Sequence, residues 1–357
     1  MWITISELNG GKLVDSKEHI SEVAIRDVMP PPVPPGTLLF SFKLSIGKMA
    51  VSAVPLFTNE AIAALPVRDP ERLDREYLRY ALMVTSGAAQ ANHAVLGAVL
   101  NKAKVEALPI PLRPMSEQRR IVDLLSRAEN IVRMRRNAEQ KAKEIIPALF
   151  LEMFGDPGTN PKGWATKALS ECTSDVYRYP SYFGIEYRDT GIPEVRGELI
   201  LDTGELDVRP SLQRYIDAET SARFPRTVLR ADDVVMSARG TIGKLGIVAR
   251  PFVGANITAN LLRLSPDSSV IAGRYLLWHL KVRGLSDLIS GTTIQTIKAQ
   301  ELKRIAVPVP PLELQQTFAT KALSARHLED SQSDATLSAV QALQSLLASI
   351  YGCTDEH

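Results

Sequence analysis

The chain has 357 residues, 45% of them hydrophobic, which is enough for two to three ordinary cores, and no apolar run reaches the length that crosses a bilayer. Its 42 lysines and arginines against 40 aspartates and glutamates leave a net charge of +2, so a phosphate-binding surface spread over the whole molecule is excluded and any nucleic-acid contact has to be local. Two cysteines, Cys172 and Cys353, form no disulfide framework and no thiolate cluster, which fits a reducing cytoplasm, and the start MWITISELNGG lacks the basic-then-apolar profile of a signal peptide.

Residues 1–112 read as a first domain of short strands and turns with one helix. The proline cluster Pro30–Pro35 and Gly36 form a rigid turn before the apolar strand 37–42, and a second strand covers 49–54. Helical spacing returns at 74–83, and the domain closes on the step Pro109-Ile110-Pro111.

A first long helix occupies 113–156. Ile121, Leu125, Ala128 and Val132, then Ala142, Ile146, Leu149 and Met153, repeat at the 4,3 spacing of a coiled-coil seam interrupted by Arg135 and Glu139. Ser116 and Glu117 suit its start, Gly155 its stop, and Pro147 predicts a kink or break one turn from the end.

A turn-rich linker opens the second domain, 157–306, and a second long helix fills 307–357. There Phe318, Ala322, Ala325, Val340, Leu343, Leu347 and Ile350 repeat at helical spacing. Ile146, Leu149, Phe150, Phe154 and Gly155 lie 197 positions before Leu343, Leu346, Leu347, Tyr351 and Gly352. Ser41, Ile46, Gly47 and Lys48 map onto Ser237, Ile242, Gly243 and Lys244, Asn59 onto Asn256, Tyr77 onto Tyr275, and Pro109 onto Pro308. The chain is therefore a tandem repeat of about 197 residues, whose first copy starts some thirty residues late, with MWITISELNG matching 193–199. Two long helices of one chain separated by a domain-sized insert can pair with each other.

The repeated Ser-x3-4-Ile-Gly-Lys hairpin has two readings. Glycine admits a phosphate close to the backbone, with Lys43, Lys48, Arg239 and Lys244 supplying charge and Ser45 and Thr241 donors; or the glycine serves the turn and the lysine is only solvated. The loop Ser290–Thr296 before 298–304 either presents Thr292, Gln295 and Lys298 to DNA or is an ordinary helix cap. Tyr177, Tyr179, Tyr182, Phe183 and Tyr187, interleaved with Arg178 and Arg188, either stack on bases or belong to core and rim. His93, His279 and His327 have no further ligand at metal spacing and read as satisfied structural histidines. Gly240–Lys244 lacks the spacing of a phosphate-binding loop, no amino-methyltransferase tetrapeptide is present, and Pro266-Asp267 stands too far from Glu301-Leu302-Lys303 for a nuclease centre. Neither catalysis nor a cofactor nor a metal is expected.

Two globular domains, each leading through Pro109-Ile110-Pro111 or Pro308-Val309-Pro310 into a long helix that carries Gln118 or Gln315 near its start, resemble the specificity subunit of type I restriction-modification systems. The endings Leu149–Gly155 and the paired hairpins fit as well. The resemblance implies an α+β fold with two target-recognition domains joined by two long antiparallel coiled-coil helices. It also implies a cytoplasmic, non-catalytic subunit that reads a split site on double-stranded DNA and docks methyltransferase subunits, two by expectation, and restriction subunits, away from membranes. DNA contacts are then expected at Lys43, Ser45, Lys48, Asn59, Arg188, Arg196, Arg239, Thr241, Lys244, Asn256, Thr292, Gln295 and Lys298, and helix or partner contacts at Ile121, Leu125, Val132, Ile146, Leu149, Phe318, Val340 and Leu347. Leu314 departs from the family's Glu-Gln pair. The alternative is a coiled-coil assembly scaffold whose globular domains bind protein.

Overall fold

The computed structural model describes residues 1–27, 29–94, 100–178, 185–291 and 295–352, without the side chains of 87–94. The chain divides into two compact units, Met1–Ala138 with Gln332–His357, and Glu139–Ser331, so both long helices contribute to each.

The first unit contains β1 (Trp2–Ile3), β2 (Lys12–Leu13), α1 (Glu22–Asp27), β3 (Leu38–Ser41), β4 (Met49–Ser52), β5 (Phe57–Thr58), β6 (Ile62–Leu65), α2 (Arg75–Ala94), α3 (Lys102–Glu106) and the start of α4 (Met115–Phe154). Its sheet has the order β2-β4-β3-β6. Leu39, Ala50 and Ile62 pack with Ile3 and Leu13 on one face, while Leu38, Phe40, Met49 and Val51 pack with Leu82 and Val105 on the other. With both faces covered, β3 is a continuous apolar run rather than an alternating one.

The second unit holds the end of α4, β7 (Thr166–Ala168), α5 (Leu169–Cys172), β8 (Thr173–Arg178), β9 (Ile192–Val195), β10 (Tyr215–Ile216), α6 (Ala218–Arg223), β11 (Val234–Ser237), β12 (Leu245–Ile247), β13 (Asn256–Ile257), β14 (Leu261–Pro266), α7 (Gly273–Arg283), β15 (Ile289–Ser290), β16 (Thr296–Ile297), α8 (Ala299–Lys303), β17 (Ala306–Pro308) and the start of α9 (Leu312–Tyr351), whose end returns to the first unit. Its main sheet, β12-β11-β14-β8, is antiparallel throughout.

The repeat is visible in the pairing. Strand β9 runs parallel to β13 as β1 does to β5, and β14 flanks β11 as β6 flanks β3. Beyond β14 the second unit adds β8, whereas β6 ends the first unit's sheet among the described residues.

The seam residues are buried or half-buried along both long helices. In the first unit Ile121 and Leu125 of α4 meet Leu347 and Tyr351 of α9 and Tyr77 and Tyr80 of α2, with Tyr77 and Tyr351 ring centroids 5.3 Å apart. In the second unit Ile146, Phe150 and Phe154 of α4 meet Phe318 and Ala322 of α9 and Tyr275 of α7, with Phe150 at 5.5 Å from both Tyr275 and Phe318. In each unit the start of one long helix lies against the end of the other, so the two run antiparallel. Val132 is buried, while Leu149 and Val340 are half-buried.

The break expected at Pro147 does not occur, since α4 continues to Phe154. Proline inside a helix costs about 3 kcal/mol, and the aromatic contacts of Phe150 and Phe154 just beyond it oppose that cost.

A matched pair of buried glutamines ties the helix starts to the globular parts. Gln118, fully buried, accepts the Asp74 N–H at 2.8 Å and donates to the carbonyls of Arg72 (2.8 Å) and Arg113 (2.7 Å). Gln315, also fully buried, accepts the Ala272 N–H at 2.8 Å and donates to the carbonyls of Val270 (3.2 Å) and Pro310 (2.8 Å). Tyr77 and Tyr275 reinforce the same junctions by donating to Pro111 and Pro308. Leu314, next to the second glutamine, packs half-buried against the core where Glu117 of the first copy pairs with Arg113.

Candidate nucleic-acid interface

Both hairpins close by one scheme. The Ser41 hydroxyl donates to the Ser45 carbonyl at 2.5 Å and accepts the Lys48 N–H at 2.9 Å, while the Gly47 N–H donates to the Ser41 carbonyl at 2.9 Å. The Ser237 hydroxyl likewise donates to the Thr241 carbonyl and accepts the Lys244 N–H at 2.9 Å, with Gly243 N–H on the Ser237 carbonyl at 2.9 Å. Gly47 and Gly243 sit at φ +88° and +83°, so serine and glycine are accounted for by the turn itself.

At the tip, Gly240 has φ +76° and its repeat partner Leu44 has φ +60° while 91% exposed. A leucine strained in the left-handed region there predicts that Leu44→Gly stabilises the first unit by about 1 kcal/mol, once the extra freedom of glycine in the unfolded chain is subtracted. Urea unfolding of parent and variant checks this, and a loss of stability would contradict it.

The expected DNA contacts have different surroundings. Lys48 and Ser45 are exposed, and the Lys43 ammonium lies 5.7 Å from the centre of the Phe42 ring. Asn59 accepts the Ala61 N–H at 3.2 Å. In the second unit a cleft of about 620 Å3 gathers Arg196, Arg239, Thr241 and Lys244, with Asn260 and Tyr187 beside them. Arg239 and Thr241 are exposed, whereas Lys244 reaches the Ile200 carbonyl at 3.3 Å and Asp202 at 3.4 Å. Arg196 donates to the Leu212 carbonyl at 2.6 Å, and exposed Arg188 pairs with Asp217 at 3.2 Å. Gln295 and Lys298 are exposed next to the hairpin, because Thr296 donates its hydroxyl to the Ala238 carbonyl at 3.0 Å. Thr292, Tyr179, Tyr182, Phe183 and Cys353 lie outside the described residues, as does the side chain of His93.

Asn256 is a correction. It is 2% exposed, donates to the Thr227 hydroxyl at 2.7 Å and accepts from the Ser221 hydroxyl at 2.8 Å, so its amide is spent inside the fold. The equivalence of Asn59 with Asn256 also shifts. The Asn59 N–H donates to the Ile3 carbonyl as the Thr258 N–H does to Val195, and the Asn59 and Thr258 carbonyls accept from Ile62 and Leu261, which makes Thr258 the true counterpart.

One wall of the cleft neutralises itself. Arg214 pairs with buried Glu194 at 2.6 Å and stacks 3.8 Å from the centre of the Tyr187 ring. Burial pushes the Glu194 carboxyl above its ordinary range, and Arg214 opposes that shift. Sequence reasoning missed this pair and Asn260, because their approach depends on strand pairings between distant segments.

His279 is buried but not the satisfied histidine expected, since neither ring nitrogen has a hydrogen-bond partner among the described residues. Among those residues no group of three or more His, Cys, Asp or Glu is placed to hold a metal, and no helix is long and apolar enough to cross a membrane.

Each α+β unit packs on segments of both long helices and carries a lysine-bearing hairpin. The profile described as the type I restriction modification DNA specificity domain matches residues 1–144 and 205–324, well over half of the chain, and the protein belongs to that family, whose role is DNA recognition. It is 21% identical over 350 residues to the type I restriction enzyme MjaIX specificity subunit of Methanocaldococcus jannaschii, covering 89% of this chain and 78% of that protein. It is 22% identical over 300 residues to the type I restriction enzyme EcoBI specificity subunit of Escherichia coli, covering 75% and 62%. A solved structure described as the basis of complex assembly and conformational transition of the type I R-M system shares the fold, with a TM-score of 0.64 at 20% identity over 98% of this chain and 90% of that one.

Proposed function

We propose that the protein is the sequence-reading subunit of a type I restriction-modification complex, with each unit contacting one half of a bipartite site on double-stranded DNA. The observation that carries this is the duplicated hairpin, whose serine and glycine are committed to the turn and which carries an exposed cation in each copy, Lys48 at the base of one and Arg239 beside the tip of the other. Membership of the specificity family supports it. Methyltransferase subunits would dock on helix surface left outside the seam. Supporting this, Leu124, Ile131 and Met134 of α4 are 46%, 49% and 61% exposed, an apolar stripe beside the buried Ile121, Leu125 and Val132. Methyl transfer and cleavage would then belong to partner subunits.

The test is duplex binding by the chain assembled with its methyltransferase subunits, measured against salt. Binding that falls linearly on a log-log salt plot and selects sequence is expected, and Lys48→Ala should flatten that slope by about 0.9. Salt-insensitive absence of binding would support the protein-binding scaffold instead.

A further inference from the structure

The second unit's main sheet ends in a patch of positive charge that carries no ion pair among the described residues. Arg178 is the last residue of β8 and pairs across the sheet with Leu262, which in turn pairs with Met236 of β11. Arg239 stands two residues past the end of β11, and Asn260 directly precedes β14. All three therefore leave the sheet at one end. The loop before β16 is held to the same end through Thr296 on the Ala238 carbonyl, leaving Gln295 exposed there.

The other arginines of this unit that line the sheet are occupied. Arg263 and Arg226 share Asp175 at 2.9 and 2.8 Å, and Arg214 is locked to Glu194. The side chains of Arg178 and Arg239 make neither a hydrogen bond nor an ion pair among the described residues. Burial and the charge of Arg239 together push Arg178 below its ordinary proton affinity, and no carboxylate counters them. Two guanidinium groups at one end of a sheet repel each other, and their planar donor forks suit the oxygens of a phosphate.

We propose that Arg178 and Arg239 clamp a single backbone phosphate of double-stranded DNA at this end of the sheet. The clamp rests on the DNA-reading function proposed above. A shared phosphate has a signature that two separate contacts lack, because the counterions released are set by the phosphates neutralised and not by the arginines present.

The test uses the full chain with its methyltransferase subunits and a labelled mixed-sequence duplex, titrated across a range of salt. Arg178→Gln and Arg239→Ala should each weaken binding about tenfold at low salt without lowering the unfolding midpoint. The double variant should lose about 0.9 in log-log slope, the value for one phosphate, and less affinity than the product of the single losses. Arg178→Lys, which keeps the charge where Arg178→Gln fails to fold, should keep the slope. A slope loss of about two with multiplicative affinity losses would assign the arginines to two phosphates and overturn the clamp. Parent-like affinity and slope in both single variants would overturn it while leaving the DNA-reading function standing. A parent complex that binds no duplex at low salt would remove both.

Discussion

Gln315→Leu is expected to destabilise the second unit by about 4 kcal/mol. The change keeps the side chain's bulk but removes one acceptor and two donors from a fully buried position. The Ala272 N–H, which sits at the N-cap of α7, loses the Gln315 acceptor, and the carbonyls of Val270 and Pro310 lose a donor. Each buried group left unmatched costs about 1–3 kcal/mol, whereas the net value of a satisfied hydrogen bond is nearer 1. The loss is concentrated where α7, the proline step and α9 meet, so hydrogen exchange at the Ala272 amide should accelerate together with a fall in the urea midpoint. Gln315→Glu keeps the acceptor for Ala272 and should fall between parent and Leu. A destabilisation by Gln315→Leu below about 1 kcal/mol would show that the junction does not depend on this clamp.

His279→Leu is expected to act in the opposite direction and to do so more strongly in acid. Burial, and behind it the charge of Arg283, holds the imidazole pKa down at about 4, below the ordinary value of 6.5. In the unfolded chain the ring takes up a proton near pH 6.5, and in the folded chain only near pH 4. Stability contributed by the neutral ring is thus complete above about pH 6.5 and lost as pH falls toward 4. A difference of about 2.5 units is worth about 3 kcal/mol over that window. At neutral pH the leucine should gain about 1–2 kcal/mol by removing two unpartnered ring nitrogens, and its advantage should widen by about 3 kcal/mol between pH 7 and pH 4. Comparing variant with parent at each pH cancels the carboxylates common to both, including Asp233, which burial pushes upward, and Asp175, which Arg226 and Arg263 pull down. A constant difference across the window would mean that the folded ring titrates normally.

The long helices and the tandem repeat were legible because both are periodic signals. The seam of Ile121, Leu125 and Val132 needs only heptad spacing, and the paired hairpins preserve Ser-x3-4-Ile-Gly-Lys in both copies. The role of Gln118 and Gln315 was not legible, since the backbone groups they satisfy are unmarked by any residue type and mostly lie more than 40 positions away. Asn256 misled for a related reason. Matching asparagines suggested an equivalence two residues out of register, and only the backbone pairing of Thr258 with Val195 resolves it. Pro147 carried a true local penalty, but tertiary packing of Phe150 and Phe154 overrode it. At the candidate interface the cations could be named individually. Which of them are already spent on Asp202, Asp217 or the Leu212 carbonyl depends on contacts across strands and loops that no spacing encodes.

The central claim is that each repeat reads its own half of a DNA site, and exchange of one domain tests it most directly. Residues 157–306 would be replaced by the corresponding segment of another specificity subunit of known target, and the assembled methyltransferase used to select methylated sites from a random duplex library. The account predicts that one half of the selected site changes to that of the donor while the other half stays as in the parent. An unchanged site, or a change in both halves, from a folded and active chimera would contradict it.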